Sequence, residues 1–322
     1  MKRRTMNLFV ACPRGRTFNT FFDDKNLQLA QTLFEVTWNP FDRNLTDEEV
    51  TTLAAGCDVY MSSWGSPAPN DKLLDASPSL RVIAHLGTST EHMRKDECLR
   101  RGINVLSGEE FYARSAAEGT LSYILASLRS IPEFSLRLKY KGEWKHKWDS
   151  CRGLMGKTVG IYNYGSIARW LVRLLTPFGV SIIAYDKEKI NDVGVTQVSK
   201  TRLFSSSDII CVYSPSVGDG YKEIGNSLLN IIKTGAIFLD VSVSGVVDRE
   251  ALLDALIRKN FTAVLDVFEK EPPDKDDELI AHHNVLPMPH MAGPSLDVRK
   301  LITQELLLKA AEFCSEKSKV VF

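Results

Sequence analysis

The chain has 322 residues, 44% of them hydrophobic, enough for two domains with a core each, so disorder is not the starting expectation. Lysine plus arginine equal aspartate plus glutamate at 40 each. That balance supplies no electrostatic reason to expect nucleic acid or an anionic membrane as partner, and a small-molecule ligand is the better expectation.

The opening MKRRTMNLFVACPRG is basic and then apolar, but its apolar run over 6–12 is short and meets Pro13 at once. A secretory signal needs a longer apolar region, so a first β-strand is expected at 8–12. No stretch approaches the ~20 apolar residues that span a bilayer. Further strands are expected at 59–62, 81–86 and 103–106, with helices at 24–34, 46–55 and 91–101. Thr46 followed three residues later by Glu49 makes a capping box. A long helical stretch runs from 113 to about 141, with Leu121, Ile124, Leu125 and Leu128 on one stripe and Pro132 kinking or restarting it.

After GEWKHKWDSCRG a second alternation begins, with strands expected at 158–162, 181–185, 209–213, 236–241, 262–267 and 284–287, and a last helix at 296–313. Two such series argue for an α/β protein of two doubly wound parallel-sheet domains. Six cysteines, Cys12, Cys57, Cys98, Cys151, Cys211 and Cys314, stand far apart without a C-x-x-C pair. That spacing argues against a zinc site or a disulfide framework and fits a reducing cytoplasm.

The stretch GKTVGIYNYGSIARWLVRLLTPFGVSIIAYD reads as strand, tight turn, helix and strand. It has the order of a dinucleotide loop, yet only one glycine of G-x-G-x-x-G is plainly present. Asn163 replaces the first, and asparagine is the residue that best tolerates the left-handed region after glycine. Gly165 keeps the second, where backbone must come close to the pyrophosphate, and Ala168 replaces the third at the cost of one methyl. Asp186 follows Gly165 by 21 residues, at the end of the second strand. An acid there accepts from ribose hydroxyls and repels a 2′-phosphate, which favours NAD(H) over NADP(H), although Lys187 and Lys189 soften the preference.

Three later stretches, DVSVSGVVDREALLDAL, AVLDVFEKEPP and NVLPMPHMAGPS, place polar residues just beyond apolar strands, where ligands bind in open parallel sheets. With GKTVGIYNYGSIA they make the chain resemble the D-isomer-specific 2-hydroxyacid dehydrogenase family from about residue 80 to 313. The resemblance implies a Rossmann domain inserted into a flavodoxin-like substrate domain, 108–288 within 1–107 and 289–322, with the active site between the two. It implies a homodimer joined around the long helix. Trp144 and Trp148 are then either exposed for that purpose or covers of their own core.

By the same resemblance His290 is the acid/base, Glu271 holds its imidazole, and Asp266 binds the nicotinamide carboxamide. The chemistry is sound on its own, because carbonyl reduction creates an alkoxide that a histidine held by a carboxylate can protonate. The other cofactor contacts implied are Asn163, Gly165, Ser166, Ile167, Asp186, Ser214, Pro215, Ala292 and Gly293. Whether Tyr162, Tyr164 and Tyr213 do more than pack is open at this stage.

One position departs from the pattern. Where the family carries an arginine that grips the substrate, this chain has Val243, followed by Ser244. An arginine fork makes charge-assisted bonds worth roughly 1.5 to 3 kcal/mol each, so losing two costs on the order of a hundredfold to ten-thousandfold. The carboxylate-binding turn keeps Gly87 but reads Thr88 and Ser89, either new hydrogen-bonding groups or bland surface. Trp64, and Arg14 and Arg16 in the loop after the first strand, are further substrate-side candidates; for the arginines a solvated surface loop is the favoured reading. The expected function is therefore hydride transfer between NAD(H) and a small carbonyl or hydroxy compound, with an atypical substrate. The alternative is an NAD(H)-binding sensor or partner-binding protein without catalysis.

Overall fold

The computed structural model describes residues 5–146, 151–214, 221–242 and 245–315. The chain forms two compact units, Met1–Tyr112 with Pro294–Phe322, and Ala113–Gly293. Among the described residues no helix is long and apolar enough to cross a membrane.

The first unit runs β1 (Asn7–Val10), α1 (Arg16–Phe21), α2 (Asp24–Leu33), β2 (Glu35–Trp38), α3 (Asp47–Leu53), β3 (Val59–Ser62), α4 (Asp71–Ala76), β4 (Val82–His85), α5 (Lys95–Arg100) and β5 (Asn104–Ser107). Its strands are parallel, in the order β2-β1-β3-β4-β5. Central strands buried on both faces must be apolar throughout. Leu8, Val10, Met61, Val82 and Ala84 accordingly pack to one side and Phe9, Tyr60 and Ile83 to the other. The capping box forms as the spacing predicts: Glu49 N–H donates to Thr46 Oγ1 at 3.3 Å and Thr46 N–H to Glu49 Oε2 at 2.9 Å.

The chain continues through α6 (Glu109–Leu128), then α7 (Ile131–Leu136), β6 (Thr158–Tyr162), α8 (Ser166–Leu175), β7 (Ser181–Tyr185), β8 (Val195–Gln197), α9 (Lys200–Ser206), β9 (Ile209–Val212), α10 (Asn226–Leu229), β10 (Ile237–Asp240), α11 (Arg249–Arg258), β11 (Thr262–Leu265), α12 (Glu278–Ala281) and β12 (Val285–Pro287). These strands form one parallel sheet, β12-β11-β10-β9-β6-β7-β8. α13 (Leu296–Ser315) returns to the first unit.

Two strands escape the sequence reading, β2 and β8. Both lie at sheet edges with most residues partly or fully exposed, so neither shows the continuous apolar run that marks the interior strands. The single helix expected at 91–101 is a 3₁₀ turn, Glu91–Met93, and then α5, divided by Arg94 at φ 53°. The long helix starts at Glu109 rather than 113. It ends at Leu128, and α7 restarts after Ser130 with Pro132 in its first turn, where a proline ring costs no hydrogen bond.

Candidate active site

In the second unit, β6 leads into the turn before α8. Asn163 holds φ 65°, the left-handed conformation that the missing glycine would have supplied. Gly165 caps α8, and a Cβ built on it would meet nothing within 4 Å, so bare backbone faces open space at a helix N-terminus. Ala168 is fully buried against the sheet core. Exposed backbone, a helix N-terminus and a close-packed third position together suit a dinucleotide pyrophosphate.

Asp186 lies just beyond β7. Its Oδ2 accepts the Tyr164 N–H at 2.6 Å and its Oδ1 the Glu188 N–H at 2.9 Å. The acid therefore braces the turn, a role the spacing rule does not foresee. Tyr162, Tyr164 and Tyr213 are all buried in the core, and the Tyr162 hydroxyl donates to the Glu223 carboxylate.

The second cluster of this unit gathers at the ends of β11 and β12. His290 Nδ1 lies 2.8 Å from Glu271 Oε2. An ionised carboxylate only accepts, so Nδ1 carries the hydrogen and Nε2 is the nitrogen directed away from Glu271. The two side chains are 60% and 39% exposed. Burial pushes the Glu271 carboxyl up, but the His290 bond and the Phe268 N–H outweigh it and hold the group below its ordinary value.

His290 itself has φ 52°, a strained conformation for a residue with a side chain. The strain is balanced from Asp266, which is 1% exposed. Its Oδ1 accepts from the Met291 N–H and the Tyr123 hydroxyl, both at 2.8 Å, and its Oδ2 accepts from the Ala292 N–H at 2.9 Å. Asp266 thus positions the segment that bears the imidazole. Tyr123 on α6 escaped the sequence reading, because its partner is 143 residues away. So did Gly119, where a Cβ would lie 2.0 Å from the Ala292 carbonyl oxygen. A glycine inside a helical pattern was the signal available. Gly293 likewise packs at close range, since a Cβ there would meet Ala116 N at 2.8 Å.

Among the remaining candidates of this unit, Ser166, Ile167 and Ser214 are partly buried, while Pro215, Val243, Ser244 and Trp148 lie outside the described residues. Trp144 is exposed.

In the first unit, Gly87 is buried just beyond β4, and Thr88 and Ser89 after it are exposed. A Cβ on Gly87 would meet His85 Nε2 at 2.4 Å and Trp64 Nε1 at 3.2 Å. Trp64 packs on Phe21 at 5.3 Å and edge-on to Tyr112 at 6.1 Å. Arg14 and Arg16 are both exposed. Arg16 begins α1, and Arg14 lays its guanidinium 5.1 Å from both the Phe18 and the Trp38 rings, stacked on its own unit.

Comparison with known proteins adds the following. Residues 121–292 match the family described as D-isomer specific 2-hydroxyacid dehydrogenase, NAD binding domain. The chain is 31% identical over 262 residues to the D-3-phosphoglycerate dehydrogenase of Methanocaldococcus jannaschii, covering 80% of this chain and 49% of that protein. It is 29% identical over 270 residues to the hydroxypyruvate reductase of Thermotoga maritima, covering 83% and 88%. It spans about half the length of the first relative and most of the second. Its fold matches the structure of D-2-hydroxyisocaproate dehydrogenase at a TM-score of 0.77 and 21% identity, over 97% of this chain and 98% of that one.

Proposed function

The chain belongs to the D-isomer specific 2-hydroxyacid dehydrogenase family, and on that premise we propose that it moves hydride between a nicotinamide cofactor and a small 2-keto or 2-hydroxy acid. The observation that carries the reading is the 2.8 Å pair of His290 and Glu271. When bound, the cofactor supplies the hydride. Glu271 keeps the hydrogen on Nδ1 and sets the ring, so that Nε2 gives a proton to the forming alkoxide, or takes one in the reverse direction. Asp266 holds the backbone on which the ring sits, and remains the candidate contact for the carboxamide.

NADH is the preferred cofactor in this reading, supported by the Asp186 carboxylate at the end of β7 beside the exposed turn. The substrate is atypical, because Val243 occupies the position of the family's gripping arginine. Two copies of the chain associate through the segment after α6, where Ile131, Leu136, Leu138, Tyr140 and Trp144 expose half or more of their surface. A reducing cytoplasm suits the spacing of the cysteines, and neither nucleic acid nor membrane is invoked.

The test is NADH oxidation across a panel of carbonyl compounds that includes glyoxylate and hydroxypyruvate, with His290→Ala alongside. Turnover by the native chain and its loss in the variant are expected. A chain that NADH stabilises against heat, but that consumes none with any carbonyl, is a sensor instead.

A further inference from the structure

The first unit holds a guanidinium that its surroundings leave unneutralised. Arg299 stands in the first turn of α13, its Cζ 5.2 Å from the centre of the Trp64 ring and 5.9 Å from that of Phe21. Its Nη1 reaches only the Thr20 hydroxyl, at a long 3.4 Å, and its Nε is buried with no hydrogen-bond partner. The neighbouring Lys300 takes Asp23 at 3.6 Å, whereas Arg299 forms no ion pair among the described residues. A half-buried cation without a counter-charge is costly, and one packed against two aromatic rings has little freedom left to lose. Such a group is built for an anion that arrives from outside.

Its position says which anion. Trp64, on which the guanidinium lies, borders Gly87, where any side chain would strike the indole Nε1 or His85. Tyr112 donates its hydroxyl to the Leu86 carbonyl at 3.0 Å, and its ring meets Trp64 edge-on at 6.1 Å, so the indole joins the guanidinium to the same turn. The guanidinium rests against the two rings and its Nη1 keeps only the long Thr20 contact, and an arginine fork matches the two oxygens of a carboxylate.

We infer that Arg299, preset by Trp64 and Phe21, is the carboxylate-gripping residue of this chain and works with the turn after β4. The inference rests on the reading that the substrate is a 2-keto or 2-hydroxy acid. It assigns to α13 the charge that Val243 does not supply.

Calorimetry of the full chain with oxamate, an unreactive keto-acid analogue, tests it in the presence of saturating NADH. Arg299→Gln is expected to weaken oxamate about tenfold to a hundredfold and Arg299→Lys to recover part of the loss. Trp64→Leu should weaken it about two- to fivefold, by removing the stacking face. NADH affinity should be unchanged in all three, which also certifies their folding. Native affinity for oxamate in Arg299→Gln overturns the assignment, and so does inorganic phosphate that competes with oxamate and shows the same dependence on Arg299. If NADH does not bind at all, the proposed function fails. The oxamate titration without cofactor then still decides the subsite: loss on Arg299→Gln supports it, and no binding by the native chain overturns it.

Discussion

Asp186 Oδ2 accepts the backbone N–H of Tyr164 at 2.6 Å, so the acid at the end of β7 and the turn after β6 are one mechanical piece. Asp186→Ala leaves two N–H groups without their acceptor. It is expected to cost about 1–3 kcal/mol in denaturant melts of the cofactor-free chain. The same variant should weaken NADH far more than NADPH by calorimetry, and equal loss of both would sink the cofactor preference.

Tyr123→Phe removes one of the three donors to the buried Asp266 and should lower stability by about 1–2 kcal/mol, with NADH affinity unchanged. Asp266→Ala is expected to be far worse. It strands the Met291 and Ala292 N–H groups immediately after the strained His290, and the measurement is turnover per folded molecule.

His290→Ala should reduce kcat by about 10²–10⁴-fold while NADH still binds. Glu271→Gln should lower kcat by roughly tenfold to a hundredfold, since it loses the charge that holds the ring. Glu271 is depressed below its ordinary 4.5. Its contribution is therefore present above that value and lost as pH falls through the lower folded one. From about pH 5 upward its protonation does not shape the pH–rate profile, and a limb in that range that vanished in Glu271→Gln would contradict the assignment.

Asp240, at the end of β10, is pushed up to about 6 from 3.8 by burial, with a further push from Asp266, against two donors from Ser242. A raised folded pKa in an acid means that this group's stability is fully present below 3.8 and is lost as pH rises through about 6. Asp240→Asn keeps the acceptor for Ser242 and removes the charge. It should stabilise the chain by roughly 1–3 kcal/mol at pH 8, and the gain should disappear below pH 4. Melts at the two pH values decide it.

Gly119→Ala inverts the ordinary rule. Alanine in a helix interior normally stabilises by about 0.5–1 kcal/mol relative to glycine. Here the methyl would lie 2.0 Å from the Ala292 carbonyl oxygen, which is backbone and cannot turn aside. A loss of about 1–3 kcal/mol in thermal or denaturant melts is expected, with reduced turnover because the displaced segment carries His290. Unchanged stability would mean that α6 and this segment are not in contact.

The interior strands were legible because a strand buried on both faces has to be largely apolar: β9 is so throughout, and β3, β4 and β6 depart from it only at an end residue, Ser62, His85 and Thr158. β2 and β8 failed it as edges. The pairing of His290 with Glu271 came from motif and not from pattern, since no periodicity links a loop after β11 to one after β12.

By itself, the sequence determined two parallel α/β units and a tight turn at Asn163 and Gly165 between strand and helix, since each depends on local spacing, whereas it offered the pairing of Glu271 with His290 only through resemblance. Only tertiary structure decided that Asp186 braces that turn, that Asp266 and Tyr123 pin the backbone of His290, and that Arg299 lies against Trp64 with no ion pair among the described residues. Those contacts join residues far apart in the chain, and a carboxylate or guanidinium is satisfied by whatever the fold brings near it, which no local pattern records.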